Sequence, residues 1–325
     1  MSSDKIKINL DKLKTYSISK RKCKVGHEDF AKAPAKGASF SDFYDSLPNI
    51  LAASNFKLVV EAIVSAHNKK KPVIFMMGAH VIKCGLNPII IELMKKRVIT
   101  AISLNGAGAI HDFEIALIGR TSEEVPDGLE DGSFGMAKET ALYINGALEE
   151  AVEKDIGAGR AIAEVINNEK LSFRNQSLLY NALKEDVLAT VHIAIGTDII
   201  HQHPSFDAGA AGEASLKDFH SLIEEIAGLG DGGVVMNIGS SVILPEVFLK
   251  AINVARNLGY NVKDFTACNF DMLYHYRPHQ NVVTRPVKSG GKGYNIIGHH
   301  EIMLPLLAQA LIEKLQHKES KNYTK

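Results

Sequence analysis

Short continuous apolar runs, each ending in small or acidic residues and most followed by a helix-patterned stretch, recur along this chain and limit the folds open to it. Val73 to Met77 (VIFMM) ends at Gly78, and a helical segment follows near Leu86 to Lys96 with Asn87 and Pro88 at its start. Ile99 to Leu104 ends in Asn105, Gly106, Ala107 and Gly108. Val191 to Ile195 ends at Gly196, Thr197 and Asp198, and Val234 to Ile238 ends at Gly239, Ser240 and Ser241 ahead of a helix around Glu246 to Asn257. Phe265 to Ala267 is the core of a fifth run. The repeated order of strand, small-residue turn and helix predicts an α/β fold: a doubly wound, mostly parallel sheet with helices on both faces, whose ligands sit outside the carboxyl ends of the strands.

The 325 residues leave room for a sizeable core. Residues 1–36 form a basic N-terminal arm, 37–317 a single domain and 318–325 a polar tail, while helical spacing fills the stretch from Phe40 to Asn68. With 37 basic and 37 acidic residues the net charge is zero, so nothing points to nucleic acid or a membrane surface. The start of the chain is polar and Lys-rich, and no run approaches the roughly 18 apolar residues of a membrane span. Cys23, Cys84 and Cys268 form no CxxC pair, which fits a reducing compartment and a cytoplasmic protein.

The stretch Asn105 to Asp112 (NGAGAIHD) places small residues directly after a buried run, where backbone N–H groups can approach a diphosphate or ribose. A tight strand-to-helix turn explains one such loop equally well, and the spacing is not GxGxxG. The construction recurs at Gly239, Ser240 and Ser241 and, with an acid, at Thr197 and Asp198; three together favour a dinucleotide-sized site. Asp198 and Asp271 stand where a carboxylate accepts both hydroxyls of a ribose, and each could instead cap a helix. His201 and His203 suggest a metal-dependent hydrolase, but no HExxH or matching carboxylate spacing accompanies them, and no metal is expected. His275 and His279 (LYHYRPH) suit proton carriers or surface histidines alike. Lys288 and Lys292 flank a glycine-rich loop, and a desolvated amine there could attack a carbonyl or imine.

At these motifs the chain resembles deoxyhypusine synthase, from about Phe75 to the last apolar helix. The resemblance is carried by AGAIHD at 107–112, Thr197 with Asp198, the turn at Gly239, TACNFD at 266–271, and Pro305, Leu306 and Leu307. It implies an NAD-dependent enzyme, typically a homotetramer with sites between subunits. Such an enzyme oxidises a polyamine to an imine, carries an aminobutyl group on a lysine and delivers it to a lysine of a protein acceptor. By matching motif, Ala107, Gly108 and Asp112 would contact NAD or the polyamine. Asp198 and Gly239 to Ser241 would hold the dinucleotide, and Asp271 would lie at the same pocket. The family's first loop falls at Gly78, Ala79 and His80. Departures are His111 in place of an acid, Pro245 in place of a histidine, His275 and Tyr276 at polar positions, and the absence of the Trp-Gly-Lys that supplies the carrier lysine, the chain having no tryptophan. The corresponding position falls near Arg285 and Pro286, and the nearest amine is Lys288.

The resulting expectation is an NAD-dependent transferase or dehydrogenase acting on a polyamine or related amine, with Lys288, His275 and His111 as catalytic residues. The alternative is an NAD-binding protein that has lost the transfer chemistry and serves a binding or regulatory role.

Overall fold

The computed structural model describes residues 6–322, with side chains as far as 315. In chain order the elements are α1 (Phe40–Ser46), α2 (Leu51–Asn68), β1 (Val73–Met77), α3 (His80–Lys83), α4 (Asn87–Lys95), β2 (Ala101–Asn105), α5 (Gly106–Ile118), α6 (Val125–Asp131), α7 (Lys138–Glu153), α8 (Ala158–Asn168), α9 (Leu178–Lys184) and β3 (Leu188–His192). There follow α10 (Ala208–Ala227), β4 (Val234–Ile238), α11 (Ile243–Asn257), β5 (Thr266–Asp271), α12 (Tyr276–Pro278), β6 (Lys292–Ile297) and α13 (His300–Asn322). Five of the strands coincide with or overlap the apolar runs. β6 falls on KGYNII, a glycine-bearing segment without a continuous apolar run. The polar stretch assigned to a tail from residue 318 begins inside α13, and 323–325 lie outside the described residues, as do the first five residues of the arm. From residue 6 to 36 the arm is almost wholly exposed. Its tie to the rest of the chain is through Lys32 N to Ser46 O (2.9 Å) and Asn49 N to Asp29 O (3.0 Å).

All six strands are parallel, in the order β3-β2-β1-β4-β5-β6. Alternate side chains serve two cores, as the period of two requires. Ile74, Met76, Val235 and Ala267 join one with α10 and α11, and Phe75, Met77, Met236 and Cys268 join the other with α2, α5, α8 and α13. The chain winds outward from β1 through β2 to β3, then crosses back and winds the other way from β4 to β6, so the switch of direction falls between β1 and β4. Helices part at such a point and leave a crevice at the carboxyl ends. Near that edge one register row carries polar residues on both sides of Met76: Thr190 and Ser103 on one, Asn237, Asn269 and Asn295 on the other. No described helix is long and apolar enough to cross a membrane.

Candidate functional site

Two glycines build the switch point. A Cβ on Gly78 would lie 2.2 Å from the Gly239 carbonyl oxygen, and Gly239 itself adopts φ +67 with a would-be Cβ 2.7 Å from His300 Nε2. Only glycine permits both the close approach and the left-handed backbone. Below them the Asn237 amide donates to Ser240 O (2.9 Å) and Asn269 Oδ1 (2.7 Å), and the Asn269 amide donates to Asn295 Oδ1 (2.8 Å). This ladder fixes the turn that starts α11, where Ser240 Oγ accepts from Leu244 N at 3.2 Å. Asp271 ends β5 with its side chain 8% exposed, Leu273 N 3.4 Å from Oδ1 and His275 Nε2 3.9 Å away. His80 meets His300 edge to face, with ring centroids 5.7 Å apart. Burial holds the His300 imidazole below its usual range against the pull of Asp271, and its Nδ1 is buried without a partner. His300 was absent from the expected site, because β6, which delivers it, carries no continuous apolar run.

The second half of the site sits at the ends of β2 and β3. Asn105 Oδ1 accepts from Gly108 N (3.0 Å) and caps α5. Asp198 lies against the same helix start, where a Cβ on Gly106 would be 2.0 Å from its Oδ2. That oxygen is buried without a hydrogen-bond partner, as is His201 Nε2, 4.0 Å away. His201 Nδ1 accepts from Gly196 N (3.1 Å) and Asp198 N (3.2 Å), so in the neutral ring Nε2 carries the proton. Burial pushes the Asp198 carboxyl up to about 6, opposed by the Thr197 hydroxyl and the Ala107 amide. Beside it opens a cavity of about 210 Å³, whose lining includes Lys83, Ala107, His111, Glu114, Glu123 and Asp198. Thr121 gives its one hydrogen to Glu114 and accepts from His111 Nδ1 (2.6 Å), while Thr140 donates to Glu114 at 3.1 Å. Burial raises Glu114, but the nearby His111 imidazole and the hydrogen bonds from Thr121 and Thr140 together outweigh it and hold this carboxyl below the usual range.

The structure thus gathers Gly78, His80, Gly239, Ser240, Asp271 and His275 around the switch point, with Ser241 exposed beside them, and Ala107, Gly108, His111 and Asp198 around the start of α5. Two expected residues stand elsewhere. The Asp112 carboxylate is fully buried and accepts from Asn87 Nδ2 (3.1 Å), Ser177 Oγ (2.6 Å), Leu178 N (2.6 Å) and Leu179 N (3.0 Å). It fastens the start of α9 to α4 and has no acceptor left for a ligand. Lys288 is exposed in a turn that precedes β6, at the amino-terminal end of the strands. The length of β6, at ~3.3 Å per residue, separates it from the crevice by roughly 20 Å, so it does not reach the crevice of its own chain. His201 and His203 also part company, since His203 Nε2 pairs with Gly135 O at 2.8 Å. Among the described residues no three His, Cys, Asp or Glu converge as a metal site. A larger cavity of about 650 Å³ lies at the opposite, amino-terminal end, beside Thr100 and Leu188.

No protein-family model matches the chain, and no curated protein matches it. Solved structures do. A protein of Entamoeba histolytica assigned as a deoxyhypusine synthase aligns over 86% of this chain and 94% of its own with TM-score 0.52 and 11% identity. A conserved protein of Methanococcus maripaludis S2 assigned as LOR/SDH aligns over 82% of this chain and 71% of its own, with TM-score 0.50 and 16% identity. AgrE, in its ternary complex with ornithine and NAD+, aligns over 83% of this chain with TM-score 0.50 and 16% identity, and this chain spans only 34% of it. At these identities what is shared is the fold, the all-parallel α/β sheet flanked by helices.

Proposed function

We propose that this chain binds NAD across the carboxyl ends of its strands and oxidises an amine held in the acidic cavity beside α5. The observation that carries this reading is the Asp198 side chain, almost wholly buried at the wall of that cavity with one carboxylate oxygen unpartnered. A buried acceptor left open in a native fold calls for a donor from outside, and an ammonium or ribose hydroxyl supplies one. The residues at the switch point fit a dinucleotide. Gly78 and Gly239 allow close approach, Asp271 keeps acceptor capacity at a strand end, and Ser240 and Ser241 precede the 15-residue helix α11, whose N-terminus favours a diphosphate. The neighbours assigned as a deoxyhypusine synthase and bound to ornithine and NAD+ point the same way.

NAD, when bound, supplies the hydride acceptor. An ammonium whose carbon gives up a hydride must also give up one N–H proton, leaving an iminium. Asp198 is the group placed to take that proton: with a carboxyl near 6 it is ionised at pH 7 yet close enough to accept. The Nε2 proton of His201, 4.0 Å from Oδ2, favours the ionised carboxylate before it takes the proton. Glu114, held ionised by His111 and two threonines, fixes the cationic end of the amine.

Transfer onto Lys288 does not belong to this reading, because Lys288 stands at the other end of the sheet. The same fact favours a second reading, a dinucleotide-binding module without turnover. Calorimetry decides: NAD is titrated first, then spermidine, putrescine and agmatine onto the NAD complex, with reduced nicotinamide followed by absorbance. Amine binding that tightens with NAD and yields reduced nicotinamide upholds the oxidation. Binding without reduction supports the module, and no binding of NAD removes both.

A further inference from the structure

The cavity beside α5 offers more than an amine needs. Three carboxylates, Glu114, the exposed Glu123 and Asp198, line it together with His111 and one lysine, Lys83 of the one-turn helix α3, exposed at its edge. None of the lysine and arginine ion pairs of the described residues includes Lys83. Glu123 is anchored, its Oε2 accepting from Gly135 N at 2.9 Å, and Glu114 is anchored by Thr121 and Thr140. Asp198, with a side chain 3% exposed, lines the same space and keeps one carboxylate oxygen without a partner. A cavity of about 210 Å³ has room for a short-chain amino acid that sheds its hydration.

A plain diamine satisfies the acids and leaves Lys83 facing a ligand of its own sign. A molecule with ammonium groups and a carboxylate satisfies both, and like charges brought together without a partner count against the wrong ligand. We propose, resting on the amine reading above, that the cavity selects a basic α-amino acid of ornithine or lysine length, its ammonium groups toward Glu114, Glu123 and Asp198 and its carboxylate toward Lys83.

The test uses pairs that differ only in the carboxylate: ornithine against putrescine, and lysine against cadaverine, each titrated into the full chain with and without NAD. The amino acid of each pair is expected to bind at least about tenfold more tightly, the worth of one charge-assisted hydrogen bond. Lys83→Met is expected to erase that difference. Diamines that bind as well as their carboxylated partners, a Lys83→Met variant that weakens both members alike, or no binding by any of the four overturns the proposal. Failure of NAD to bind while the carboxylate preference persists removes the oxidation reading and leaves the ligand class standing.

Discussion

At the scale of single residues, position relative to a strand end decides what an acid or a glycine does. Gly78 and Gly239 were legible because each directly follows a continuous buried run, where a tight turn or a close backbone approach calls for a residue without a side chain. Gly78→Ala would press a methyl group onto the Gly239 carbonyl, and a loss of about 1 to 3 kcal/mol is expected by denaturant titration, with NAD binding reduced alongside. Asp198 and Asp112 looked alike in the sequence, both acids close to glycines. What separates them is where each carboxylate packs, at the wall of the cavity and against the start of α5 for Asp198 and into the α4–α9 junction for Asp112, and that depends on packing the sequence does not spell out. If Asp198 takes the ammonium proton, turnover falls as pH drops through about 6, where its own proton blocks it, and Asp198→Asn removes both the activity and that limb of the pH profile. A profile with the same limb in the variant would assign the proton to another group.

Among the elements, β1 and β4 match their apolar runs end to end, because both lie inside the sheet with neighbours on each side. β3 starts at Leu188, three residues ahead of the expected Val191. It is an edge strand, and the apolar residues after it, Ile193 to Ile195, are part exposed in the loop that carries Asp198. β6 is the other edge, and Lys288 was misplaced with it: a glycine-rich loop that enters a strand looks the same in sequence as one that leaves it. The open side of β3 is closed by Asp218 of α10, whose Oδ2 accepts from Val191 N (2.7 Å) and from Gly159 N (2.8 Å) at the start of α8. Burial pushes this carboxyl up to about 7, so the unfolded chain ionises first as pH rises from about 4, and stability from this group is lost up to about 7. Asp218→Asn keeps an acceptor and cannot ionise. Relative to the parent it is expected to gain stability between pH 4 and 8, by about 1 to 3 kcal/mol at the upper end, read as diverging denaturation midpoints.

For the molecule as a whole, the doubly wound sheet was readable from the rhythm of runs and turns, since a parallel strand buried on both faces has little choice of residue. The path of the arm was not readable beyond its polarity. With so few ties to the domain, removal of residues 1–28 is expected to shift the unfolding free energy by less than about 1 kcal/mol, measured by chemical denaturation beside the full chain. The asparagine ladder has a further consequence, for how such a chain can change length. Asn237, Asn269 and Asn295 meet only while three strands keep step. One added or deleted residue within β4 or β5 turns every later side chain of that strand to the opposite face, pulling an amide out of the line and unmooring the Ser240 turn. Insertions and deletions in related chains therefore belong in the loops that enter the strands from the amino-terminal side, where the ladder and the crevice never feel them.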